Sequence, residues 1–302
     1  MSRLREPIMK KTIQGVLTAI VTPFDASGEI SPVRLRRQIR RQLEHDNGIF
    51  CNGTNGEFFV LTTDEKILVT ETCVDEVSGA VPVVGHIGEI STAATIKLGK
   101  RLASIGVDAV SVITPYFVPL RQHELVYHYT AIADAVPVPV FLYNIPGRTG
   151  NTIEPATARK LAEHPNIVGI KDATGNFDRG CELIARGPEG FSVYSGDDPT
   201  ACALILMGAQ GNISVVANVA PRLMHEMCVA AAAGDVAKAK EIHFKLLALH
   251  RDLFCEANPI PVKWAVHQLG LMPNGIRLPL TTLSEASQPR VLAALRQAGL
   301  IA

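Results

Sequence analysis

The sequence predicts a (β/α)8 barrel followed by a C-terminal helical extension, and three observations carry that prediction. Eight short apolar runs of strand length recur at spacings of roughly 20 to 35 residues. Most of them are continuous rather than alternating, the pattern of parallel strands covered on both faces. Amphipathic stretches of helical period separate them, with no low-complexity linker and no change of character at the midpoint. Such a barrel takes about 250 residues, so a chain of 302 leaves room for an extension.

The first run, 15–21, follows a loose tail assigned to residues 1–12. The others are 48–51, 82–85, 109–113, 138–143, 167–171, 191–195 and 211–215. Helix starts stand between them: Ser31-Pro32, an N-cap with proline at the first helical position, then Thr63-Asp64-Glu65 and Ser91-Thr92. After the last strand come four helical stretches, 221–233, 236–250, 261–269 and 284–298. One is needed to close the barrel, so the barrel is assigned to 13–233 and the extension to 234–302. An open doubly wound sheet is the competing architecture. Its Gly-rich fingerprint is missing after the first strand, where Thr22-Pro23-Phe24 follows.

Composition narrows the function. With 29 basic and 29 acidic side chains the net charge is zero, which argues against a nucleic-acid partner. The cluster Arg34, Arg36, Arg37, Arg40 and Arg41 falls at helical spacing and reads as a solvated face. At 47% hydrophobic and 19% charged, the chain can bury a large core. No apolar run approaches the roughly 18 residues of a membrane span. Arg3, Arg5, Lys10 and Lys11 precede an apolar run at 16–21, but that run is shorter than the roughly 7 to 15 residues of a secretory core and is broken by Thr18. A cytoplasmic location is expected. The six cysteines form no C-x-x-C pair, which argues against a zinc site or a disulfide framework.

In a barrel the chemistry lies where strands end at their C-terminal side. Lys171 ends the sixth run and Asp172 follows it. Partly desolvated, its amine becomes a nucleophile toward a carbonyl and a Schiff-base candidate; paired with Asp172 or reaching to the rim, it is inert. Tyr143 ends the neighbouring fifth run and either passes protons to a group forming on Lys171 or is a rim tyrosine with a buried ring. Arg148, in the turn Asn144-Ile145-Pro146-Gly147-Arg148, either grips a carboxylate or is solvated. The loop Gly53-Thr54-Asn55-Gly56-Glu57-Phe58 either cradles a carboxylate with the N–H groups and side chains of Thr54 and Asn55 or is an ordinary turn. Ser195-Gly196-Asp197-Asp198 is too acidic for the phosphate site many barrels build there.

Together these pieces resemble the dihydrodipicolinate synthase and N-acetylneuraminate lyase family of pyruvate-dependent class I aldolases. The resemblance runs from Ala19 to the terminal helix. Its most specific stretches are Gly53 to Glu57, Tyr143 to Gly150, Gly169-Ile170-Lys171-Asp172-Ala173-Thr174-Gly175-Asn176 and Asn258-Pro259-Ile260-Pro261-Val262-Lys263-Trp264. The last stretch and Arg148 look more like the synthase branch. The resemblance implies that Lys171 forms a Schiff base with pyruvate and that Tyr143 and Thr54 relay protons. It implies that Thr54 and Asn55 hold the pyruvate carboxylate and that Ile213 lends a backbone carbonyl. Arg148 would bind the carboxylate of aspartate semialdehyde. It also implies a homotetramer built from tight dimers. No metal or organic cofactor is needed, because the iminium itself accepts the electron pair of the enamine.

Three departures stand out. Asn55 replaces a second threonine and Phe117 replaces an interface tyrosine, so the proton relay is incomplete unless Tyr116 or a water substitutes. Thr63, Lys66 and Ile90 stand where some synthases carry two histidines and an asparagine for feedback inhibition by lysine, so no inhibition is expected. Asn55-Gly56-Glu57-Phe58 also resembles the 4-hydroxy-2-oxoglutarate aldolase branch, which keeps open the cleavage of a 4-hydroxy-2-oxo acid. A barrel that binds a 2-oxo acid without catalysis is the third reading, and borohydride trapping with pyruvate separates it from the enzymes.

Overall fold

The computed structural model describes residues 13–302. The tail assigned to residues 1–12, with Arg3, Arg5, Lys10 and Lys11, lies outside the described residues. Eight parallel strands close into a barrel in sequence order: β1 (Gly15–Ala19), β2 (Gly48–Cys51), β3 (Val83–His86), β4 (Ala109–Ile113), β5 (Val140–Asn144), β6 (Ile167–Asp172), β7 (Ser192–Ser195) and β8 (Gly211–Ser214). Each sits on one of the predicted runs. At the barrel mouth β1 and β8 stop before their apolar runs end, whereas β3, β5 and β6 pair one residue further, through the polar residues His86, Asn144 and Asp172. Thus β1 ends at Ala19 and residues 20–21 continue as buried loop.

The outer ring comprises α1 (Pro32–Leu43), α2 (Thr63–Val77), α3 (Thr92–Ile105), α4 (Gln122–Ala135), the single turn α5 (Pro146–Thr149), α6 (Pro155–Leu161), α7 (Phe177–Arg186), α8 (Asp198–Leu206) and α9 (Pro221–Ala232). α2 begins in a capping box: the Thr62 hydroxyl accepts from the Glu65 N–H at 3.2 Å, and the Glu65 carboxylate accepts from the Thr62 N–H at 2.8 Å. α10 (Val236–Asp252), α11 (Ile260–Gln268) and α12 (Gln288–Gln297) form the C-terminal helices and share one apolar core with α8 and α9, including Met224, Leu249, Trp264 and Leu295. α12 starts four residues later than the stretch read from Ser284. Pro289 lacks an N–H and fits only the first turn, while the Ser284 hydroxyl donates to Glu256 instead of capping.

The barrel interior is filled by Leu17, Phe50, Val84, Ala109, Phe141, Tyr194 and Ile213, one from nearly every strand. Large rings sit beside small positions. A Cβ at Gly169 would stand 2.5 Å from the Ser192 carbonyl and 2.7 Å from the Phe141 ring, so β6 tolerates only glycine there. Above this layer the strand ends open into the mouth. Among the described residues, no helix is long and apolar enough to cross a membrane.

Candidate active site

Register brings the two leading candidates together. Tyr143 on β5 and Lys171 on β6 are partners across the parallel ladder, and so are the next pair, Asn144 and Asp172. Side chains alternate along a strand, so Lys171 and Asp172 point to opposite faces of the barrel wall. The consequence is chemical. The Asp172 carboxylate is fully engaged by Arg179 Nε at 2.8 Å, Asn144 Nδ2 at 2.9 Å, the Thr174 N–H at 3.1 Å and the Thr174 hydroxyl. Lys171 therefore has no carboxylate partner among the described residues. Its Nζ lies 4.1 Å from the Tyr143 ring centroid and 4.7 Å from that of Phe50, and the residue is 5% exposed.

Gly196 leaves the space the lysine occupies. A Cβ there would approach Lys171 Cε to 2.8 Å and Cγ to 3.0 Å. Gly196→Ala should therefore displace the amine and lower kcat/KM by roughly 100-fold, since a shift of about 1 Å is enough. Steady-state kinetics beside a melting curve checks this; full activity would mean that the lysine has room to move.

A cavity of about 340 Å³ opens over the lysine. Its wall includes Thr54, Asn55, Tyr143, Arg148, Asp197 and Asn258. The structure thus gathers five of the six predicted residues around one space. Arg148, on α5, is exposed at the rim and forms no ion pair among the described residues. Thr54 and Asn55 are buried, and neither backbone N–H donates to a protein acceptor among the described residues. The Asn55 amide gives one hydrogen to the Ala19 carbonyl at 2.8 Å, which leaves the second free. Ile213, the sixth, lies in the interior layer opposite Leu17 and is absent from the wall, where Val215 stands instead. Two unpaired cations and uncommitted N–H donors around one small cavity suit an anion of a few atoms.

Residue-by-residue reading missed His86, Asp197 and Asn258. Asp197 caps α8, accepting from the Thr200 N–H, and burial raises its pKa, helped by Asp198 and Asp172. Asn258 adds a buried carbonyl oxygen with no hydrogen-bond partner among the described residues; its only signal was the stretch it begins. His86, at the end of β3, packs edge-on against Phe58 at 4.9 Å and Tyr143 at 5.9 Å. Burial, then the charges of Lys171 and Lys66, pushes its pKa down to about 3, so the imidazole is neutral. The apolar run hid it, because a histidine ending a buried strand looks like any other core ring.

Burial likewise lowers His250 to about 3. Such groups take up protons when unfolded but not when folded, so their contribution is intact above pH 6.5 and shrinks as pH falls toward 3. At pH 5 the loss is roughly 2 kcal/mol for each group. Tm should fall between pH 7 and pH 5, and less steeply in His86→Gln; equal slopes would refute the assignment.

Phe117 is 90% exposed at φ +77°, outside the cavity wall. Tyr116 packs edge-on against Phe58 at 6.3 Å between ring centroids; Phe58 in turn meets His86, and His86 meets Tyr143. Its phenol does not border the cavity.

A closed parallel barrel with an unpaired lysine at its mouth, facing a tyrosine and an anion-sized cavity, is the arrangement of a class I aldolase or lyase. Comparison with known proteins makes the class specific. The chain belongs to the dihydrodipicolinate synthetase family, whose model matches residues 12–298. It is 56% identical to the 4-hydroxy-tetrahydrodipicolinate synthase of Dechloromonas aromatica, over 96% of this chain and all of that one. The chloride-inhibited dihydrodipicolinate synthase of Acinetobacter baumannii, solved with pyruvate, superimposes with a TM-score of 0.94 at 45% identity, covering 96% of this chain and 100% of that one. A monomeric dihydrodipicolinate synthase variant matches with a TM-score of 0.93 at 37% identity, covering 95% and 97%.

Proposed function

We propose that this chain condenses pyruvate with aspartate semialdehyde through a Schiff base on Lys171, as a 4-hydroxy-tetrahydrodipicolinate synthase. The observation that carries the reading is the unpaired Lys171 amine beside Tyr143, freed because Asp172 is engaged elsewhere. The neutral amine attacks the pyruvate ketone carbon. Tyr143, with Thr54, carries the protons that let water leave, and loss of a methyl proton gives the enamine that attacks the aldehyde carbon. The Thr54 and Asn55 donors hold the pyruvate carboxylate and Arg148 holds that of the aldehyde at the rim; Ile213, assigned a backbone carbonyl near the site, lies in the layer beneath the cavity. Family likeness supports a cytoplasmic homotetramer, a dimer of dimers.

The test compares kcat/KM for aspartate semialdehyde condensation with that for cleavage of 4-hydroxy-2-oxo acids. Condensation should exceed cleavage by orders of magnitude; the reverse order would move the chain to the aldolase branch.

Lysine should not inhibit. Lys66, 5% exposed, places its own ammonium 2.5 Å from Glu89 and 5.7 Å from the Phe58 ring, where it would repel the ammonium of an added lysine. Millimolar lysine is expected to leave the rate unchanged, and a depressed rate would overturn this.

A further inference from the structure

Two stretches far apart in sequence meet in an ion pair closed off from solvent. Glu57, at the end of the Thr54–Asn55 loop, is 0% exposed at its side chain, and Lys263 in α11 is 3% exposed. The Lys263 ammonium donates to Glu57 Oε1, and the Arg277 backbone N–H donates to Oε2 at 3.1 Å. Both carboxylate oxygens are thus held from the C-terminal extension. The Arg277 guanidinium donates twice to the Gly28 carbonyl, at 3.0 and 2.8 Å, and pairs with Glu65 at 2.6 Å in the capping box of α2. The Phe24 ring lies under both cations, 4.2 Å from Lys263 and 4.3 Å from Arg277.

A buried ion pair adds little stability over an apolar pair of the same shape, whereas its geometry is directional. Here the direction bears on the cavity. Glu57 takes φ +57°, a left-handed conformation that a non-glycine residue keeps only when its surroundings impose it. Its N–H donates to the Thr54 carbonyl at 3.0 Å, that of Phe58 donates to Gly53, and the Thr22 hydroxyl donates to Gly56. Thr54 to Glu57 is therefore one closed turn, and a displaced Glu57 carries Thr54 and Asn55 with it. On the other side, Lys263 lies in the first turns of α11, a helix that begins two residues after the wall residue Asn258.

We propose that the Glu57–Lys263 pair is a positioning element through which the C-terminal extension sets the Thr54–Asn55 cradle and thereby the affinity for pyruvate. The proposal rests on the Schiff-base reading of Lys171. Burial lowers the Lys263 pKa to about 8, opposed by Glu57 and reinforced by the charge of Arg277, which itself faces Glu65 and Glu29. The pair accordingly loses its charge on the ammonium side in mildly alkaline solution.

The experiment uses the full chain, as wild type, Glu57→Gln, Lys263→Met and the double variant. The readout is the pyruvate concentration that half-saturates the borohydride-trapped adduct, measured by intact mass, beside kcat, KM and Tm. Each single variant leaves one buried partner alone and loses stability, so the double variant decides. It should melt near the wild type, still trap pyruvate on Lys171, and need roughly tenfold more pyruvate, with KM changed more than kcat. The ratio between wild type and double variant should shrink toward one between pH 7 and pH 9. A stable double variant half-saturating within twofold of wild type at pH 7, or a ratio that does not change with pH, would overturn the proposal. Wild type that traps no adduct at all would sink the Schiff-base reading and this proposal with it.

Discussion

Lys171→Met is expected to lower condensation on the order of 10⁴-fold or more and to abolish the pyruvate adduct captured by borohydride, because among the described residues no other lysine lines the cavity. Methionine retains the length and apolar stem of lysine and can pack between the Tyr143 and Phe50 rings that now flank the ammonium. The variant gives up a cation–π contact and also the cost of holding a cation at 5% exposure without a counter-ion. These effects oppose each other, so Tm should stay close to that of the wild type. A lost rate with an intact fold then reports the chemistry of the amine. An adduct persisting in the variant would place the Schiff base on another residue.

Tyr143→Phe should lower kcat by roughly 100- to 1000-fold, within the range that one positioned proton donor contributes. The substitution keeps the ring, and with it the edge-to-face contacts to Phe50 at 6.4 Å and His86 at 5.9 Å. Among the described residues the hydroxyl makes no hydrogen bond to protein, and Tyr143 lines the cavity, so its removal leaves no protein group orphaned. Stability should be unchanged. Single-turnover trapping should show slower imine formation at unchanged final yield. A kcat within threefold of wild type would transfer the proton steps to Thr54 or to water.

Much of the architecture was legible in the chain. Parallel strands buried on both faces must be apolar throughout, and that requirement wrote eight countable runs. The polar residues ending those runs, Tyr143 and Lys171, stood out because little else explains a polar group there. Asn55 and Thr54 were legible only as a glycine-flanked turn, since a turn's N–H groups look alike in sequence whether or not they find acceptors. His86 was not legible, because its neutrality comes from neighbours contributed by other strands and helices. Glu57 and Lys263 appeared in separate conspicuous stretches with no sign that they pair, as 206 residues separate them.

The sequence by itself determined the strand count, the order of the barrel, the place of Lys171 at a strand end as the candidate nucleophile, and a net charge of zero. Periodicity and strand-end polarity are local properties, and the chain states them directly. Only the tertiary structure decided that Asp172 turns away from Lys171 into the hands of Arg179 and Asn144, that Ile213 lies one layer beneath the cavity, and that the extension grips the cradle through Glu57. Each of these depends on which faces meet once the barrel closes, and a charge or a donor acquires its partner only there.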